Sequence, residues 1–120
     1  GVPGIERFAA DLPAFADLPD PSWATRFAYQ NVERRGTGGG AFRRMYADFL
    51  ADGPCAVPAD AADEMAGIAA DWTALGETLR EASEADEDDM KALLDEAREA
   101  GAALAERERA CYERLTAAVD

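Results

Sequence analysis

Histidine is absent from the 120 residues, which removes together the usual general base, the usual metal ligand and the usual partner of a nucleophile. The two cysteines, Cys55 and Cys111, are too few for a disulfide framework or a cysteine-rich zinc site. Free thiols in a reducing cytoplasm are the expectation. Cys55, beside prolines, has no nearby group to activate it, and Cys111 reads as core. No long uncharged apolar run and no basic-then-apolar leader occur, and the chain opens on Gly1. A cytoplasmic, soluble piece of a larger protein is therefore expected, with no membrane contact. Strand-period alternation is also missing, and with it any signal for a sheet.

Acid is what the chain has in excess. Against 25 Asp and Glu stand 12 Lys and Arg, a formal charge of −13, which repels nucleic acid and anionic bilayers. The imbalance is uneven. Residues 60–120 carry 18 acidic and 6 basic residues, a net of −12, whereas residues 26–44 carry five arginines against Glu33, a net of +4. A positive island thus lies in an acidic chain long enough to bury roughly two thirds of its unfolded surface as one domain.

Helical periodicity runs almost throughout. Ile5, Phe8, Leu12, Phe15 and Leu18 recur every three or four positions, with a break expected at Pro13. Asp20-Pro21 starts a second helix toward Arg35, with Trp23 and Phe27 packing inward with Val32, and Arg26 and Arg34 outward. Gly36 is placed to stop it. Phe42, Met45, Tyr46, Phe49 and Leu50 make a third stripe, closed by Gly53-Pro54 and followed by a turn to Pro58. Met65, Ile68, Trp72, Leu75 and Leu79, spaced 3, 4, 3, 4, describe a seam along a fourth helix. The acidic run Glu84 to Asp89 reverses the chain, and Asp86, Asp88 or Asp89 can cap a last helix reaching Val119. That helix turns Met90, Leu93, Leu94, Ala97, Leu104, Cys111, Leu115 and Val119 inward, and its many alanines permit close approach. The fold class is all-α: a single bundle of about five helices ending in a long antiparallel hairpin.

Only one stretch looks chosen for chemistry. Glu33-Arg34-Arg35-Gly36-Thr37-Gly38-Gly39-Gly40-Ala41-Phe42-Arg43-Arg44 runs a glycine-rich segment into a helix between arginine pairs. Four glycines in five positions imply special backbone angles or close approach of another group. Backbone N–H groups at a helix start, with guanidinium flanks, can hold an anion such as phosphate. The spacing is not that of a nucleotide loop, since no lysine follows and the preceding element is a helix. The same stretch also reads as a sharp turn that lets the second and third helices pack closely, its arginines solvated or paired with the acidic helices. Glu33, Arg35, Thr37, Gly38, Gly39, Gly40 and Arg43 are the candidate residues for binding an anion or docking a domain. The carboxylates Glu87, Asp88, Asp89, Glu96 and Glu99 read as a solvated face, and the acidic run lacks the central glycine of a calcium loop. No catalytic residue, metal or cofactor is assigned.

With its Glu, Gly-Thr-Gly-Gly-Gly, aromatic, arginine and Tyr46-Ala47-Asp48-Phe49-Leu50 helix, the stretch Trp23 to Leu50 resembles the C-terminal domain of unknown function of butirosin biosynthesis protein H-like proteins. Ile68-Ala69-Ala70-Asp71-Trp72 is similar to that family's tryptophan-bearing helix. The resemblance covers roughly residues 4–82, and residues 83–120 match only as a long helix. It implies a parent that moves an acyl unit from an acyl carrier protein to an amine, with the nucleophile on an N-terminal cysteine-peptidase-like half. This chain, without that half and without histidine, would be the non-catalytic accessory domain, its glycine segment facing the active site or the partner domain. The alternative is a stand-alone helical module whose acidic hairpin binds a basic partner.

Overall fold

The computed structural model describes residues 2–33, 43, 46–48, 51 and 59–119. Every element among them is a helix: α1 (Val2–Asp11), a 3₁₀ segment (Leu12–Asp17), α2 (Pro21–Glu33), α3 (Ala59–Glu84) and α4 (Glu87–Val119). Residues 43, 46–48 and 51 are helical as well. The all-α bundle read from periodicity is the observed architecture.

The ends of the helices follow local chemistry. Pro13 lies in the first turn of the 3₁₀ segment, so α1 stops at Asp11 and the chain tightens instead of continuing. At α2 the Asp20 carboxylate accepts the Trp23 N–H at 3.1 Å and Pro21 takes the first helical position. At α4 the Asp86 carboxylate accepts the Asp89 N–H at 2.9 Å, which selects Asp86 as the cap. Glu87, Asp88 and Asp89 then put negative charge on the first turn, where the helix dipole favours it.

Only Ala85 and Asp86 separate α3 from α4, so the two helices, 26 and 33 residues long, fold back as an antiparallel hairpin. At 1.5 Å per residue the longer helix spans roughly 50 Å, and it sets the long dimension of a molecule 48 × 21 × 18 Å across. Met65, Ile68, Leu75 and Leu79 of α3 and Leu94 and Leu104 of α4 are sealed between them, each contributing about 1.5–3 kcal/mol by leaving water. Leu12 plugs the same core from the 3₁₀ segment, while Phe8 and Phe15 are only partly covered and Leu18 is 43 % exposed.

The inward faces differ from the sequence expectation at α2. Thr25, Ala28 and Val32 meet α3, whereas Trp23 is 63 % exposed and Phe27 41 %. Positions 25, 28 and 32 share one helical face, and 23 and 27 lie about two residues away around the axis. The small side chains win the inner face because they let α2 lie close on α3. The Thr25 hydroxyl is buried and has no hydrogen-bond partner among the described residues. On α4, Met90, Leu94, Ala97, Leu104 and Cys111 are buried as expected, and Leu93 and Leu115 half-buried. The expected stop at Gly36, most of the stripe from Phe42 to Leu50, the turn with Cys55, and the side chains of Glu33 and Val119 lie outside the described residues.

One glycine is fixed by a neighbour. A β-carbon at Gly101 would stand 2.7 Å from the Ala9 β-carbon, so α1 crosses α4 where neither helix carries bulk. At Gly4 a β-carbon would meet nothing within 4 Å. Gly101→Val is expected to cost about 1–3 kcal/mol through overpacking against backbone-tied atoms, and Gly4→Ala to gain up to about 1 kcal/mol in helix propensity. Urea unfolding of the two variants checks both signs.

Candidate functional site

A charged residue occupies the hairpin's apolar seam. Leu104, Glu108, Cys111 and Leu115 follow one another at spacings of 4, 3 and 4 along α4, so the periodicity that buries the leucines also buries a carboxylate. Glu108 is 1 % exposed. A buried carboxylate without partners would be strongly disfavoured, and the described residues supply two. The Trp72 indole N–H of α3 donates to Oε1 at 3.0 Å. Arg43 donates from Nε to Oε1 and from Nη2 to Oε2, the latter at 3.1 Å, as a two-pronged charge-assisted pair. The same guanidinium stands over the Trp72 ring with its central carbon 4.6 Å from the centroid, a cation–π contact in partly dry surroundings.

These contacts join three distant parts of the chain: residue 43 just after the glycine-rich segment, α3, and α4. Beside them Arg107 crosses α3 to the carboxylates of Asp71 and Glu64, the latter at 3.4 Å. Gly67 lies under that crossing, where a β-carbon would stand 2.8 Å from Arg107 Nη2, the movable end of the side chain. Arg114 pairs with Asp60 farther along the hairpin, and Arg109 ties α4 to Glu6 of α1. Exposed pairs of this kind contribute little energy each.

Two groups near Glu108 resist losing their protons. Burial pushes the Tyr112 phenol upward, the negative charge of Glu108 adds to this, and Arg43 opposes it. Burial likewise raises the Cys111 thiol, with Glu64 adding to the shift. Cys111 is thus held as a thiol and is no candidate nucleophile. Among the described residues no group of His, Cys, Asp and Glu is placed to hold a metal ion, and no helix is long and apolar enough to cross a membrane.

Of the residues predicted from sequence, Arg43 is placed with its side chain only 13 % exposed, committed to Glu108. Glu33 ends α2. Arg35, Thr37, Gly38, Gly39 and Gly40 lie outside the described residues. Sequence reasoning missed Glu108 because Arg107 and Arg109 flank it and the trio reads as solvated charge. The available signal was its phase with Leu104 and Cys111.

The family model described as Domain of unknown function (DUF4872) matches residues 1–115. The chain belongs to the DUF4872 family. No curated protein and no solved structure matches it. For this DUF4872 chain the arrangement acts as an anchor: a buried carboxylate and an indole hold the arginine that follows the glycine-rich segment.

Glu108→Leu is expected to cost about 3–5 kcal/mol, because it leaves the Arg43 charge uncompensated. The double variant Arg43→Met/Glu108→Leu should recover part of that loss, since apolar side chains of similar size can replace a buried pair, while the Trp72 indole N–H, left without its acceptor, still costs about 1–3 kcal/mol. Chemical denaturation of the two variants measures the coupling. A pH dependence follows from Cys111 and Tyr112. Both folded-state values lie above the unfolded ones, about 8.5 and about 10, so the folded state keeps protons that the unfolded state loses, and stability falls as pH rises above about 8.5. The alkaline fall in melting temperature should be shallower in Cys111→Ala and Tyr112→Phe.

Proposed function

We propose that this domain is the non-catalytic helical accessory domain of a butirosin biosynthesis protein H-like protein. The whole protein would transfer an acyl unit from an acyl carrier protein to an amine, with the nucleophile on an N-terminal cysteine-peptidase-like part. The basic glycine-rich segment between Glu33 and Arg43 would face that active site or that part.

The observation that carries the reading is the fastening of the chain on both sides of the segment. Before it, α2 packs on α3 through Thr25, Ala28 and Val32. After it, Arg43 is paired with Glu108 against the Trp72 ring. Both attachments are to the same hairpin, so a rigid scaffold bounds a stretch of four glycines and its arginines. Binding or catalytic segments held on a rigid scaffold are a common arrangement. The second reading, an acidic module for a basic partner, draws on the hairpin tip, where Glu84, Asp86, Glu87, Asp88 and Asp89 are all exposed. A gene that encodes no cysteine-peptidase-like segment would favour this second reading.

The test is made in the parent protein. Gly39→Val and Arg35→Ala are each expected to lower acyl transfer by about tenfold to a hundredfold, as displaced positioning groups do, while in Arg35→Ala the melting temperature of the 120-residue chain stays unchanged. Full turnover in both variants would refute a role for the segment at the active site. Titrating the chain with phosphopantetheine or pyrophosphate, followed by NMR at Thr37 to Arg43, separates anion binding from domain docking.

A further inference from the structure

The outward face of α2 is the most unusual surface among the described residues. Trp23 and Phe27 stack at a centroid distance of 5.4 Å and an interplanar angle of 10°, and Leu18 adjoins them in sequence across the Asp20 cap. Arg26 is exposed in the turn between the two rings. Exposed fractions of 63, 41 and 43 % for Trp23, Phe27 and Leu18 leave on the order of 300 Å² of apolar surface, taking about 200 Å² for a whole aromatic side chain. A tryptophan, a phenylalanine and an arginine on one helix face have the composition of an interface centre. The Asp20 cap and the i, i+4 stacking hold them in place before anything binds.

Size and charge select the occupant. A stable complex of separate chains buries about 800 Å² on each partner, of which somewhat over half is apolar, still more than this patch. A second copy brings another −13 charge, and the long-range repulsion acts against self-association. Contacts between domains of one polypeptide are smaller, from about 300 Å² on each side, and a tether supplies an effective concentration in the millimolar range. We infer that the Leu18, Trp23, Arg26 and Phe27 face docks a second domain of the same polypeptide, one that offers an apolar recess for the rings and a carboxylate or carbonyl for Arg26. This rests on the reading that the domain is part of a larger protein. Because α2 runs directly into the glycine-rich segment, docking here brings that segment to the domain boundary.

Ser22, exposed beside Trp23, provides the probe. Ser22→Cys is alkylated with iodoacetamide in the 120-residue chain and in the parent protein, and its peptide is followed by mass spectrometry. The expected result is labelling about tenfold slower in the parent, reflecting near-complete occupancy by a tethered domain. Adding Trp23→Ala and Phe27→Ala should restore the faster rate. Equal rates in the chain and in the folded parent would overturn the inference. So would a dimer of the 120-residue chain that sedimentation velocity shows to be lost in Trp23→Ala, since a second copy would then be the occupant. The footprint reads contact and not chemistry. Protection in a parent without acyl transfer would keep the docking face and remove the activity proposed above, and an active parent without protection would do the reverse.

Discussion

A carboxylate taken out of water must be met by donors, and much of this structure is arranged around meeting that demand at Glu108. The residue sits where the hairpin seam would otherwise hold a leucine, so its hydrogen-bond needs fall on whatever packs there. Trp72 donates to one oxygen from the facing helix, and Arg43 donates to both from a part of the chain 65 positions away. A leucine would have packed there without specifying any partner. A carboxylate accepts only a donor in the correct position, and so it selects which segment covers the hairpin and in what register.

The rest of the scaffold makes that selection possible. The two-residue reversal at Ala85 and Asp86 forces α3 and α4 into contact along most of their length, which brings Trp72 and Glu108 face to face. Gly101 lets α1 approach at Ala9, and Arg107 passes over Gly67 to reach Glu64 and Asp71. A chain of charge −13 thus uses several of its few cations as cross-links between helices. Acidic surplus remains on the outer faces and at the hairpin tip.

The aromatic pair of α2 shows the limit of reading faces from spacing. Trp23 and Phe27 stand at i and i+4, the interval of a facing pair, and they do stack on each other. Spacing fixed that mutual contact but not which side of the helix meets the core. That choice went to Thr25, Ala28 and Val32, because α3 can approach small side chains closely. Glu108 is the converse case. Its phase with Leu104 and Cys111 was visible, yet its neighbours Arg107 and Arg109 disguised it as surface charge.

By itself the sequence determined the all-α class, the break at Pro13, the cap at Asp20, a cap within the run Asp86 to Asp89, and the long hairpin. All of these follow from interactions within a few residues or along one helix. The glycine-rich segment and its arginines were legible as a candidate site for the same reason, as a local anomaly of composition. Only the tertiary structure decided that Arg43 answers Glu108 and Trp72, that Cys111 and Tyr112 are held protonated, and that Trp23 and Phe27 face outward. Each of these depends on which side chains from distant positions come to share a low-dielectric interior or are left outside it, and no local pattern encodes that.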